Sequence, residues 1–135
     1  MREILFRGKR ICDDEWIEGY FGRYHNGESD VACISILSNG FFGLSSYEVD
    51  PETVGQYIGL TDKNGNKVFE GDVVRWKECD HWAPDDGIVS GYVLYVDGQW
   101  LIQRPNIRSY LWRVHSLCEI IGNIHDNPEL IGGKR

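Results

Sequence analysis

A chain of 135 residues, 41% hydrophobic and 26% charged, has the make-up of a globular protein, and its length suits one ordinary domain or two very small ones. Its formal net charge of −7 lacks the basic footprint of a non-specific nucleic-acid binder. No apolar run approaches the ~20 residues that a membrane-spanning helix needs, so no membrane partner is expected.

The N-terminus, Met1-Arg2-Glu3, is charged and leads straight into a strand-like run, with no signal-peptide pattern. The expected location is therefore the cytoplasm, where Cys12, Cys33, Cys79 and Cys118 are reduced thiols. Four dipeptides then punctuate the chain: Asn26-Gly27, Asn39-Gly40, Asn64-Gly65 and Asp97-Gly98. Each tolerates the positive φ of a type I′ turn and sits between β-branched or aromatic runs, the pattern of a hairpin. Strands are expected at residues 2–7, 16–24, 31–37, 41–44, 57–60, 67–69, 72–76, 88–96, 99–103, 109–114 and 119–124. One short helical turn starts at Asp50-Pro51-Glu52-Thr53, with Asp50 as cap and Pro51 at the first helical position. Gly55 ends it early. Gly71 and Gly122 mark bends or bulges. Isolated hairpins are marginal in water, so a sheet closed on itself is expected to bury Val73, Val93, Tyr95 and Ile121.

Residues 49–74, VDPETVGQYIGLTDKNGNKVFEGDVV, join the capped turn, a Gly-rich strand, the Asn-Gly hairpin and a second strand with a Glu-Gly-Asp step. This stretch resembles the signature segment of the YopX family, small proteins encoded by bacteriophages and prophages. Arg2-Glu3-Ile4-Leu5-Phe6-Arg7 is similar to the family's opening strand. Glu119-Ile120-Ile121-Gly122-Asn123-Ile124, followed by Asn127-Pro128-Glu129-Leu130, is similar to its closing motif. The resemblance implies a C-terminal domain like an SH3-type β-barrel and supplies no catalytic residue. The fold expectation is mainly β. Residues 1–49 are expected to form a β-hairpin subdomain packed on a small SH3-like barrel at 50–135, which opens with the one short helical turn.

Several constellations invite a chemical reading. Cys79 and His81 are two apart and His115 and Cys118 three apart, four residue types that bind zinc. The tight C-x-x-C turn of a zinc site is missing, so no metal and no other cofactor is expected. Asp62-Lys63-Asn64-Gly65-Asn66 has the acids and amides of a calcium loop but places Gly65 at the fourth position, and a turn fits better. The acids at Asp13–Glu15, Glu70 with Asp72, and Asp80 with Asp85 and Asp86 read as solvated loops or backbone caps more readily than as an acid–base pair. There is no nucleophile elbow and no phosphate-cradling glycine loop. The sequence carries no catalytic constellation.

The strongest candidate is a surface. From Gly98 to Cys118 there is no carboxylate, and the window holds Trp100, Arg104, Arg108, Tyr110, Trp112, Arg113 and His115. Strand alternation over 109–114 would put Tyr110 and Trp112 on one face and Arg113 and His115 on the other. Arginine and aromatic side chains are frequent anchors of protein interfaces and of stacking platforms for single strands. The plain alternative is that the aromatics fill the core. The acidic loop at 78–87, ECDHWAPDDG, adds Trp82 as an exposed anchor suited to a protein partner. The preferred reading is a non-enzymatic binding module that engages a host or phage protein through Trp82, Arg104, Arg108, Tyr110, Arg113 and His115. The alternatives are a single-stranded nucleic-acid-associated protein, which the net charge disfavours, and a metal-dependent hydrolase using Cys79, His81, His115 and Cys118. Exposed sheet edges leave homo-oligomers open as a further partner class.

Overall fold

The computed structural model describes residues 3–37, 44–81 and 83–131. The Asn39-Gly40 turn, most of the strand expected at 41–44, and Trp82 lie outside the described residues. The chain divides into two compact units, Met1–Tyr57 and Ile58–Arg135. The sequence reading drew its boundary at 49/50, where the helical turn begins.

The first unit contains β1 (Phe6–Lys9), β2 (Trp16–His25), β3 (Asp30–Leu37) and β4 (Leu44–Glu48), and ends in the opening residues of β5 (Gly55–Thr61). All pairings are antiparallel, in the order β4-β3-β2-β1-β5. The Asn26-Gly27 hairpin forms, but over a four-residue loop between the paired His25 and Asp30 instead of a two-residue type I′ turn: Asn26 Oδ1 accepts the N–H groups of Glu28 and Ser29 at 2.9 and 3.0 Å, and of the dipeptide only Gly27 takes a positive φ, +100°. Alternation along the strands puts Ala32 and Ile34 on one side, where they pack with Val49, Phe6, Ile17, Phe21 and Val54. Asp50 caps the 3₁₀ turn Pro51–Thr53 by accepting from Glu52 N–H at 3.0 Å, as the sequence predicts.

The second unit carries the end of β5, then β6 (Lys67–Phe69), β7 (Asp72–Lys77), β8 (Ile88–Val96), β9 (Gln99–Gln103), β10 (Arg108–Tyr110), a short helix α1 (Leu111–Val114), a 3₁₀ turn at His115–Leu117, and β11 (Glu119–Asn123). Its five-stranded antiparallel sheet has the order β10-β9-β8-β7-β11. The β8–β9 hairpin closes through Asp97 and Gly98, with φ of 52° and 81°, between the paired residues Val96 and Gln99. That is the type I′ geometry the dipeptide predicts. The register of β11 on β7 slips between Ile120 and Gly122, and Gly71 takes φ +94°, so both glycines stand at the irregularities expected of them.

The fold is mainly β with antiparallel sheets, but neither sheet closes into a barrel among the described residues. β10 and β11 are the two edges of the five-stranded sheet. The strand expected at 109–114 stops at Tyr110, because Leu111, Val114 and Cys118 repeat at the i, i+3, i+7 spacing of a helix face. All three are buried, packing with Val68, Val74, Trp76, Val93 and Ile102. A helical turn thus covers the core where further strand would have been needed for closure. Val73 and Val93 are buried as expected, whereas Tyr95 is 54% exposed and Ile121 only half-buried. Tyr95 shares the face of Val93 but lies beside the hairpin turn, past the edge of the core, and packs its ring on Trp100 at 4.8 Å.

Candidate functional site

The arginine-rich window and the acidic loop meet. After β9 the chain turns back through a bond from Arg104 N–H to the Ile107 carbonyl (2.9 Å), and β10 resumes with Arg108 opposite Gln103. That turn directs the Arg104 side chain inward, where the residue is 3% exposed. Its guanidinium grips the Asp80 carboxylate through two nitrogens at 2.6 and 3.1 Å, donates to Ser109 Oγ at 3.3 Å, and lies 5.7 Å from the Trp76 ring centre. A two-pronged pair of this kind is both strong and geometrically demanding. Arg113 reaches Glu78 Oε2 at 3.4 Å, while Glu78 Oε1 accepts the Trp76 indole N–H at 2.8 Å. Arg108 is exposed and donates to Gln103 Oε1 at 2.8 Å. Two of the three arginines are therefore spent on carboxylates of the 78–87 loop.

The aromatics divide differently from the strand expectation. In α1 the buried Leu111 and Val114 fix the phase, which turns Trp112 and Arg113 outward. Trp112 is 67% exposed and stands 5.9 Å from the ring of Tyr110, itself 47% exposed. Leu117 on the following 3₁₀ turn is also exposed. Trp100 is half-buried against the core. His115 does not join the outward group: its Nδ1 lies 2.9 Å from the Thr61 carbonyl oxygen, which requires that nitrogen to carry the proton.

The four residues weighed for zinc are held in unlike surroundings. Cys79 and His81 are exposed, Cys118 is buried, and His115 is engaged with Thr61. Burial, and then the charge of Asp62, push the Cys118 thiol up to about 12. Among the described residues no group of three or more His, Cys, Asp or Glu side chains is placed to hold a metal ion. Asp62 is a structural pin. Its Oδ1 accepts the N–H groups of Asn64 and Asn66, both at 2.9 Å, and its Oδ2 accepts that of Ile120 at 3.1 Å. Burial alone would raise its pKa, but these backbone donors outweigh it and hold the carboxyl below its ordinary value.

Two adjoining hollows flank β8. One, of about 260 Å³, is lined by Pro84, Ile88, Val89, Ser90, Pro105 and Ile107 among others. Its neighbour, of about 680 Å³, shares Ser90, Arg104 and Pro105 and continues past Gly91 and Tyr92 to Glu129, Leu130 and Ile131. The Arg104–Asp80 pair ties the loop bearing Pro84 to the turn bearing Pro105, which fixes the opposite walls of the smaller hollow.

The family model described as YopX protein matches residues 5–132. The chain belongs to the YopX family. No curated protein matches it. Among solved structures, protein EF1440 from Enterococcus faecalis is 22% identical over 97% of this chain and 99% of that one, with a TM-score of 0.60. At that identity the likeness is one of fold. This YopX chain has no helix, among the described residues, long and apolar enough to cross a membrane.

Proposed function

We propose that this YopX protein is a non-enzymatic binding module of a phage or prophage, acting in the bacterial cytoplasm on a host or phage protein. The observation that carries the reading is the projection of Tyr110 and Trp112, followed by the exposed Leu117, from a turn anchored by the buried Leu111 and Val114. Large side chains left in water cost solvation free energy, and aromatic clusters of this kind are frequent anchors of protein interfaces. Arg108 at the start of β10 and Arg113 next to Trp112 supply the polar rim. In this reading the order β10-β9-β8-β7-β11, with a helical turn before the last strand, is an open variant of an SH3-like arrangement.

Single-stranded nucleic acid is the alternative ligand, and the exposed Arg108 near two exposed rings is what favours it. Against it stand the carboxylate partners of Arg104 and Arg113. The deciding experiment is capture from host lysate with wild-type protein and with Trp112→Ser and Arg108→Glu. A protein retained by wild type and lost in both variants, at unchanged melting temperature, supports the module. Salt-sensitive retention of a labelled oligonucleotide, lost in Arg108→Glu, would transfer the function to nucleic acid.

A further inference from the structure

A second site, apart from the aromatic patch, lies along β8. The ladder register fixes the direction of its backbone groups. Glu78 N–H donates to the Gly87 carbonyl at 2.7 Å, a pair in step with Lys77↔Ile88 and Trp76↔Val89. Hydrogen-bonded and non-bonded pairs alternate in an antiparallel ladder. Val89 and Gly91 therefore address β7 with their N–H and C=O groups, while Ile88, Ser90 and Tyr92 address the other side. On that side Tyr92 meets Gln103, near the end of β9. One ladder step further, Ser90 falls opposite Pro105, which has no N–H to give, and the chain has already turned away between Arg104 and Ile107. Ile88 N–H is taken by Asp86 Oδ1 at 2.9 Å. The main chain of Ser90 is left on an edge with no strand beside it among the described residues.

That edge is the wall common to both hollows, since Ser90 lines each of them. Their side walls are apolar at Pro84, Ile88, Val89 and Ile107 in one and at Leu130 and Ile131 in the other. Of the two charged lining residues Arg104 is already held by Asp80 and Glu129 is exposed; Asp86 adds a second acid beside Ile88, and the exposed Arg108 lies at the far wall, next to Ile107, bonded to Gln103. We infer that this slot takes an extended segment of a partner protein, in which aliphatic residues alternate with lysine or arginine, added as a strand along Ser90. The segment's main chain pairs with the Ser90 N–H and C=O. Its period of two sends aliphatic side chains into the hollows and basic ones toward Asp86 and Glu129.

The test uses the full chain and an acetylated, amidated hexapeptide of alternating valine and lysine, followed by fluorescence anisotropy and by amide exchange. Saturable binding is expected, with exchange at the Ser90 amide slowed by about tenfold or more in the complex. Methylating alternate backbone nitrogens of the peptide, or replacing its lysines by glutamate, is expected to weaken binding by about tenfold or more. Ser90→Pro removes the edge donor and is expected to abolish binding. If that variant does not fold, the methylated peptide makes the same test on unaltered protein. Absence of saturable binding, binding that leaves the Ser90 amide unprotected, or equal affinity for the glutamate peptide would each overturn the assignment.

Discussion

Asp62 and Asp80 belong to the same unit, yet they are held by opposite means. Asp62 is satisfied by main-chain donors, two of them within four residues and the third across the sheet at Ile120. Asp80 is gripped through both carboxylate oxygens by the side chain of Arg104, 24 residues away. The first arrangement needs no counter-charge, because backbone dipoles supply the compensation. The second hides a guanidinium with side-chain exposure of 2%, while its carboxylate partner keeps 29%. The comparison teaches where each site is fragile: one can lose its acid to protonation, the other cannot lose its acid without stranding a buried cation.

The largest effect is expected at Asp80→Ala, which leaves Arg104 buried without its partner and should lower unfolding free energy by about 3 kcal/mol in urea titrations. Asp62→Ala comes next, at about 2 kcal/mol, since it orphans three N–H donors of which the turn amides can be partly rehydrated. Acid sharpens the contrast. The folded-state pKa of Asp62 lies below its ordinary value, so its stabilisation is complete above the unfolded value and is lost as pH falls through the folded one. The difference in urea midpoint between wild type and Asp62→Asn should therefore be constant near neutrality and shrink below about pH 4. Arg104→Met is expected to cost less than about 1 kcal/mol, because the half-open Asp80 can hydrate and the thioether packs on Trp76. A cost equal to that of Asp80→Ala would end the argument from unequal burial. Smallest of all, Trp112→Ser should leave stability within about 0.5 kcal/mol of wild type.

Much of the ladder was legible because its signals are local. Asp97-Gly98 needs only its own dihedral freedom to make the two-residue turn, Gly27 and Gly65 take the positive φ that only glycine adopts freely, and β6, β8 and β9 carry the expected bounds. The Asp50-Pro51 start is local in the same way. Residues 109–114 imitate a strand because aromatic and basic residues alternate there, whereas the decisive spacing runs from Leu111 through Val114 to Cys118, past the end of that alternation. That spacing was the available signal. The Arg104–Asp80 pair had none: a carboxylate-free stretch and an acidic loop read as two surfaces, and only the fold brings them together to neutralise each other. The β8 edge was equally hidden, since it depends on Pro105 falling opposite Ser90 in a register that sequence does not print.

The last strand sets a schedule. β11 pairs with β7, the first strand of the five-stranded sheet, and Ile120 N–H also completes the pin at Asp62, 58 residues earlier. Loops of that length close late and slowly compared with the two-residue hairpin at Asp97-Gly98. A nascent chain that has delivered β7 to β10 still exposes the long edge of β7, so the sheet reaches its final form only once Asn123 has left the ribosome. Until then the edge of β7 is a place where a chaperone, or another unfinished copy, can pair.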